Sequence, residues 1–348
     1  MSRPIPMSLC AINRGTRMPD ALRSRYRAWS WDAPGEPDEL QLVEKATVQP
    51  ASGEIVVENT LAAFNPVDWK IIQNGHAAWK SGRVPGVDGV GRIAAVGPDV
   101  RLPVGQRVAY HQSLARDGSF SDYTTLRAES VLPVPDGVSD EVAAGIPCPG
   151  LTAWQALAKV PSVPDRDVLV TGAGGAVALI LAQLAVRRGW RVWVTASPRH
   201  HARLLGLGVC GAFDYQDDSW QGALQQALGP RRLFAVFDTT SGGYARTLAP
   251  MLGFNGHLVC IQDRLDAPPL PPFATALSLH EVALNAMHDH ASPQDWRDWR
   301  MAGAGLMHDV QAGALETQPV RVTAFTALPE SLSAFKAGRT TGKVLVKI

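Results

Sequence analysis

The stretch VTGAGGAVALILAQLA, from Val170 to Ala185, constrains the fold more than any other part of the chain. It follows the apolar residues Val168 and Leu169, so a buried strand, a glycine turn and an apolar helix stand in immediate succession. A helix that begins directly after a buried strand points its unpaired N–H groups at whatever occupies the turn, and phosphate is the usual occupant. Gly172, Gly174 and Gly175 permit positive φ and close backbone approach. The last glycine of a dinucleotide fingerprint only has to let helix pack near strand, so Ala178 in that place is tolerable. Ala176 is a second departure, harmless if its φ is negative. The residues Gly172, Ala173, Gly174, Gly175, Ala176 and Val177 are the expected seat of a dinucleotide pyrophosphate, against the alternative of a plain glycine turn in an α/β sheet.

The surroundings of the turn support the first reading. From about Pro149 to His288, apolar strands such as DVLVTG, RVWVTAS, LFAVFDTT and GHLVCIQ alternate with helical segments such as RHHARLLGLG, which implies parallel βαβ units. From Tyr26 to about Cys148 the chain is punctuated by Gly and Pro between short β-rich runs, EIVVENTLAAF, GRIAAVG and QRVAYHQ, an all-β pattern with loops. The tail returns to a strand and a helix, VRVTAFTALPESLSAFKAG, and closes on the strand KVLVKI. With 348 residues two domains are expected. The expected division is 26–148 with 289–348 for a discontinuous β domain and 149–288 for the nucleotide domain.

Which dinucleotide is held depends on the end of the second strand. An acid there takes the ribose hydroxyls of NAD. Here RVWVTA runs into Ser197, Pro198, Arg199 and His200, with no acid until Asp214. A hydroxyl and a guanidinium bind a 2′-phosphate, whereas an unpaired acid repels one, so NADPH is the expected cofactor. Arg199 as a solvated cation at a helix start is the competing reading.

Charge and cysteine content close off other classes. A net charge of +1 gives no global field to recruit nucleic acid or an anionic membrane. Cys10, Cys148, Cys210 and Cys260 are widely spaced, with no C-x-x-C pair, and read as reduced thiols of a cytoplasmic protein. No apolar run approaches the roughly 18 residues of a membrane helix. Residues 1–25 are Arg-rich with a single acid, Asp20. A transit peptide and a disordered extension both remain open there, the second being the expectation.

Several further motifs, in order, carry a family resemblance: NPVDWK (Asn65 to Lys70), PGVDGVGRIAAVG (Pro85 to Gly97), VGQRV (Val104 to Val108), GSFSDY (Gly118 to Tyr123), GLTAWQAL (Gly150 to Leu157), GAFDY (Gly211 to Tyr215) and the closing GKVLVKI. With the glycine turn, they make the chain resemble the zinc-independent, quinone-oxidoreductase-like and enoyl-reductase-like branch of the medium-chain dehydrogenase/reductase superfamily. The resemblance implies an α/β fold, a GroES-like β domain built from both chain ends clasping a Rossmann domain with a doubly wound parallel sheet, and a site in the cleft between them. It implies that Ser197 and Tyr215 flank the adenosine 2′-phosphate and that Asn65 lies beside the nicotinamide. It also implies a homodimer joined through a Rossmann edge strand, for which EVALNAM, Glu281 to Met287, is the candidate.

Zinc-dependent members of that superfamily carry ligands at the places of Asn65, Val87 and Cys148, and of these only Cys148 is one here. One thiolate cannot make a catalytic zinc site, so no metal is expected; His288, Asp289 and His290 are read as solvated polar residues. Hydride delivery to a quinone or an activated alkene places charge on a remote oxygen, which hydrogen-bond donors can stabilise. Lys70, Thr152 and the Asn65 amide are the candidate catalytic donors, and Lys70 as a rim cation in a loop is the competing reading. Asp68 is expected to cap the loop. The function expected is an NADPH-dependent reductase of quinones or conjugated C=C bonds. A one-electron quinone reductase and a non-catalytic NADPH-binding or sensing protein are the alternatives.

Overall fold

The computed structural model describes residues 22–240 and 242–348, so most of the 1–25 extension, with Cys10, lies outside the described residues. The chain opens with an antiparallel ribbon, β1 (Arg25–Ser30) and β2 (Gln41–Ala46). A long strand, β3 (Glu54–Ala63), runs into helix α1 (Pro66–Asn74). Then come β4 (Asp88–Val96), β5 (Arg107–His111), β6 (Tyr123–Arg127) and β7 (Val131–Pro133). Two helices, α2 (Asp140–Gly145) and α3 (Pro147–Ala158), lead to the second sheet.

That sheet is built from β8 (Asp167–Val170), α4 (Ala176–Arg187), β9 (Arg191–Thr195), α5 (His201–Gly206), β10 (Gly211–Phe213), α6 (Trp220–Leu228), β11 (Leu233–Asp238), α7 (Gly242–Leu248), β12 (Leu252–Cys260) and β13 (Ser278–Glu281). Its strand order is β10-β9-β8-β11-β12-β13 and every pairing is parallel. The chain winds outward from β8 in one direction and then in the other, so the topological switch point lies between β8 and β11, where doubly wound sheets bind their ligands. All four residues of β8 are buried, as a strand covered on both faces requires.

The chain then returns through α8 (Met287–His290), α9 (Pro293–Gln311), β14 (Val320–Ala324), α10 (Leu328–Lys336) and β15 (Lys343–Lys347). The seven-stranded sheet has the order β14-β15-β3-β4-β5-β7, with β6 also paired to β3. Both ends of the chain therefore contribute strands to it. β15 runs antiparallel to β3 with Leu345 opposite Ala63; continuing that register places Lys343 opposite Asn65. One apolar cluster connects the lobes, joining Leu61, Val90 and Leu132 to Val168, Leu181 and Phe237.

The structure corrects the sequence reading of the secondary structure in three places. NPVDWK is the first turn of a helix rather than a loop: Pro66 stands at its start, and the Asp68 carboxylate accepts the Asn65 N–H at 2.7 Å. The run Glu281 to Met287 is not the edge strand. The edge is Ser278–Glu281, after which Val282 and Leu284 turn into the core. The 19-residue helix α9 escaped the reading altogether, although Ser292 and Asp295 form a capping box that announces it. No helix among the described residues is long and apolar enough to cross a membrane.

Candidate functional site

The glycine turn lies between the C-terminal end of β8 and the start of α4. Gly172 has φ +65°, a conformation that favours glycine, and its N–H donates to Thr195 Oγ1 at 3.2 Å. Ala173 N–H donates to the Thr195 carbonyl at 2.8 Å, tying the turn to β9. Gly175 is the helix N-cap and Ala176 the first helical residue. Ala176 is absent from the positive-φ residues, so its side chain costs nothing there. Ala178 is buried against the sheet, and Val177 is half-buried on the first turn. The leading N–H groups of α4, which have no intrahelical partner, face the turn. Its rim is made by His200, whose ring would lie 2.7 Å from a Cβ at Gly174, and by Gln318, whose amide donates to the Gly174 carbonyl at 2.6 Å. Beneath the turn Thr171 Oγ1 donates to Asp238 Oδ1 at 2.7 Å and accepts the Thr239 N–H, fixing the ends of β8 and β11.

At the ends of β9 and β10 the residues expected around a 2′-phosphate come together. Ser197 Oγ stands 3.5 Å from Tyr215 OH, and Arg199 Nε donates to His200 Nε2 at 3.2 Å. Arg199 and Tyr215 are exposed. Burial, then the charges of Arg199, Arg203 and His201, lower the His200 pKa from its ordinary value, which marks a basic corner suited to an anion.

On the other side of the cleft, Asn65 is buried, and its side chain is occupied with partners other than the helix. Nδ2 donates to Asp88 Oδ2 at 2.9 Å, while Oδ1 accepts from Lys343 Nζ at 2.7 Å. Lys343 Nζ also donates to the Phe64 carbonyl at 2.9 Å. Asp88, fully buried, accepts the Cys148 N–H on Oδ2 at 2.9 Å and holds His111 Nδ1 on Oδ1 at 2.8 Å. Asp68 accepts the Val87 N–H on Oδ1 at 3.0 Å, so its carboxylate stitches α1 to the segment before β4. Burial raises the Asp68 pKa to about 7, helped by Asp88 and opposed by the two N–H donors and Lys343. Burial also holds the Cys148 thiol well above its usual value, which keeps it a poor nucleophile.

Of the three candidate catalytic residues, two share this network. Thr152, one turn beyond Cys148 on α3, hydrogen-bonds the Cys148 side chain, and through Cys148 and Asp88 it connects to Asn65. Lys70 occupies a different neighbourhood on α1. Its Nζ stands 5.6 Å from the centroid of the Trp69 ring, which Lys336 Nζ also approaches at 5.8 Å. Burial lowers the Lys70 pKa, and Asp263, in the loop after β12 of the opposite lobe, works against that shift. Lys70 is thus a half-desolvated cation facing the cleft.

The side chains of Asp88, His111 and Cys148 bring their ligand atoms within 4.8 Å of one another, the sole such group among the described residues. They do not fit a divalent metal. Both Asp88 oxygens are engaged, by Asn65 and Cys148 N–H groups on one side and His111 on the other. At the two further places where zinc-dependent relatives carry ligands stand Val87, which has none to offer, and Asn65, whose oxygen is taken by an ammonium. His288 is not solvated as expected: it is buried, stacked on His111 with centroids 6.2 Å apart and edge-on to Trp296, and burial pushes its pKa down to about 3. Asp88, His111, Lys343 and Gln318 were not singled out from sequence. Asp88 and Lys343 lie inside the quoted motifs PGVDGVG and GKVLVKI, which is the one signal that could have found them.

Residues 51–136 match the alcohol dehydrogenase GroES-like domain, and residues 207–346 match the zinc-binding dehydrogenase family. The chain is 29% identical to a trans-enoyl reductase of Alternaria alternata over 321 residues, 84% of this chain and 90% of that one. It is 30% identical to a zinc-type alcohol dehydrogenase-like protein of Schizosaccharomyces pombe over 58% of this chain, a match that spans 62% of that protein. It is 28% identical to a chloroplastic quinone-oxidoreductase homolog of Spinacia oleracea over 65% of this chain and 71% of that one. Among solved structures, a mycobacterial quinone oxidoreductase is similar with a TM-score of 0.79 and 26% identity, covering 93% of this chain and 100% of that one. The quinone oxidoreductase of Coxiella burnetii, at 21% identity, shares the fold with a TM-score of 0.77 over 93% of this chain and 99% of its own.

Proposed function

The chain belongs to the medium-chain dehydrogenase/reductase superfamily, in its quinone-oxidoreductase-like and enoyl-reductase-like branch, and on that premise we propose that it uses NADPH, without a metal, to reduce quinones or conjugated C=C bonds. The observation that carries this reading is the placement of Lys70, half-buried on α1 with its Nζ 5.6 Å from the Trp69 ring centroid and within electrostatic reach of Asp263 in the opposite lobe. NADPH, when bound, supplies a hydride. Hydride addition to the β carbon of an enone moves an electron pair onto the carbonyl oxygen, and the enolate is then protonated at the α carbon. In a quinone the enolate oxygen takes the proton, and the ring carbon that received the hydride then loses a proton while the second carbonyl oxygen gains one, which gives the hydroquinone. Lys70 donates a hydrogen bond to the enolate oxygen as charge develops, and Thr152, in the Asn65 network, is the proposed donor at the nicotinamide end. Desolvation makes the ammonium a stronger acid, so Lys70 also suits the role of proton donor. Gly172 to Val177 receive the pyrophosphate, Ser197, Arg199, His200 and Tyr215 the 2′-phosphate, and the Asn65 amide orients the nicotinamide end.

A panel of quinones and enones, read by NADPH consumption and product analysis, tests the proposal. Two-electron reduction of at least one class supports it. Semiquinone products would instead select one-electron chemistry, and tight NADPH binding with no turnover would select a sensing protein. For the cofactor, fluorescence titration is expected to show at least tenfold tighter binding of NADPH than NADH, about 1.4 kcal/mol. Arg199→Ala should erase most of that preference and leave NADH nearly unchanged, since only NADPH carries the 2′-phosphate. Equal affinities in the unmodified protein would remove the argument from Ser197, Arg199 and Tyr215.

We further propose that 26–148 with 289–348, and 149–288, act as the two lobes, that the protein works in the cytoplasm, and that two copies pair through the sheet edge at β13. That edge carries the exposed Leu279. Light scattering at micromolar concentration should report twice the chain mass, and a monomer would refute the pairing.

A further inference from the structure

We propose that the buried pocket around Asn65, Asp68 and Asp88 is a cation site whose occupant is the chain's own Lys343, and that this ammonium positions the Asn65 amide. Lys343 is 6% exposed, and an ammonium so desolvated persists only where acceptors replace water. It has them in the Phe64 carbonyl and Asn65 Oδ1. Its charge is felt by the buried carboxylate of Asp68 and by the thiol of Cys148, so it serves the whole pocket and not one partner. The surrounding donor types, two carboxylates, an imidazole and a thiol, are those that hold divalent metals elsewhere. Here a monovalent cation on a tether of four methylenes stands beside them.

The consequence reaches Asn65. An amide has an acceptor end and a donor end of nearly the same shape, and only its neighbours decide which way it points. Lys343 can only donate, and so claims Oδ1; Asp88 accepts, and so claims Nδ2. The two charges hold the amide in one sense. With Lys343 removed, Nδ2 keeps Asp88 Oδ2 and the Ala63 carbonyl as acceptors, but the oxygen loses its charged donor and that end of the amide is no longer pinned. Lys343 acts through Asn65, so it is a positioning residue and not a catalytic one. This part rests on the proposed reductase reading; the cation site does not.

Two measurements separate these claims. In urea unfolding, Lys343→Met, which keeps the stem packed but leaves the Phe64 carbonyl and Asn65 Oδ1 without their donor, should lower the midpoint, and the loss should be smaller in an Asn65→Leu background, where one of those acceptors is gone. An unchanged midpoint in Lys343→Met, or the same loss in both backgrounds, overturns the cation site. In turnover, Lys343→Met, which keeps the stem packed, should lower kcat by about 10- to 100-fold, the usual effect of losing a group that orients a site residue. KM for the acceptor should hardly move, and Lys343→Arg should recover much of the rate. In an Asn65→Ala background the same change should cost nothing further in kcat, whereas additive losses would overturn the positioning role. If the unmodified protein reduces no acceptor, the reductase reading falls and the positioning role with it, while the urea midpoints still decide the cation site.

Discussion

Lys70→Ala is expected to lower kcat by roughly 10²-fold, about 2.7 kcal/mol of transition-state stabilisation, with little change in NADPH affinity. The reason is where the ammonium stands. It is partly desolvated, backed by the Trp69 ring and within electrostatic reach of Asp263 in the opposite lobe, which the proposed function takes as the substrate side. A donor already in place when charge develops on the substrate oxygen needs no reorganisation, and its loss appears in kcat. Steady-state kinetics with the best acceptor of the panel decides it. A loss confined to KM would make Lys70 a clamp that binds ground state and transition state alike. No change in either parameter would leave it a rim cation. Trp69 gives a second check, because the same ring carries Lys336, itself paired with Glu36 at 2.5 Å. Lys336→Ala should leave turnover nearly intact.

The second large effect is on stability. Asp88→Ala should lower unfolding free energy by about 3 to 5 kcal/mol, read as a shift of the urea midpoint. Its carboxylate, wholly buried, satisfies Asn65 Nδ2, the Cys148 N–H and His111 Nδ1 together. Removal strands all three in a place water does not reach, and each orphaned group costs about 1 to 3 kcal/mol. Asp88→Asn, which keeps an acceptor and nearly the same volume, should cost less. A loss below about 1 kcal/mol for Asp88→Ala would mean that the pocket admits water and that the network is less tightly closed than its geometry implies.

How much of this was legible beforehand follows from the range of each signal. The turn from Gly172 to Val177 is local: strand, glycines and helix are contiguous, and the alternation that follows them fixes a parallel sheet. Ser197 and Arg199 could be singled out because they follow a strand whose position periodicity reveals, whereas Tyr215 came from the family resemblance and follows the neighbouring parallel strand. The Asp88, His111 and Lys343 network had no such signature. Its members are separated by 23 residues in one case and by 278 in another, and only the antiparallel register of β15 on β3 brings Lys343 to Asn65. The misplaced edge strand has a different cause. EVALNAM is apolar enough to be a strand, yet its apolar residues are spent on filling a turn under the sheet. NPVDWK was mistaken for a loop because proline and asparagine mark turns, though the same residues also open helices.

The seam between β15 and β3 also sets the order in which the molecule can be finished. During synthesis Asn65, Asp68 and Asp88 leave the ribosome long before Lys343 does, and domains fold as their parts become available. Until β15 arrives, β3 has an unpaired edge near Ala63, and two carboxylates destined for burial have no cation to accompany them. The nucleotide sheet, wholly encoded by the intervening residues, meets no such delay. The nascent chain thus acquires its cofactor half first, while the other half waits, open at one edge, for a strand that appears only after the whole nucleotide sheet has been made.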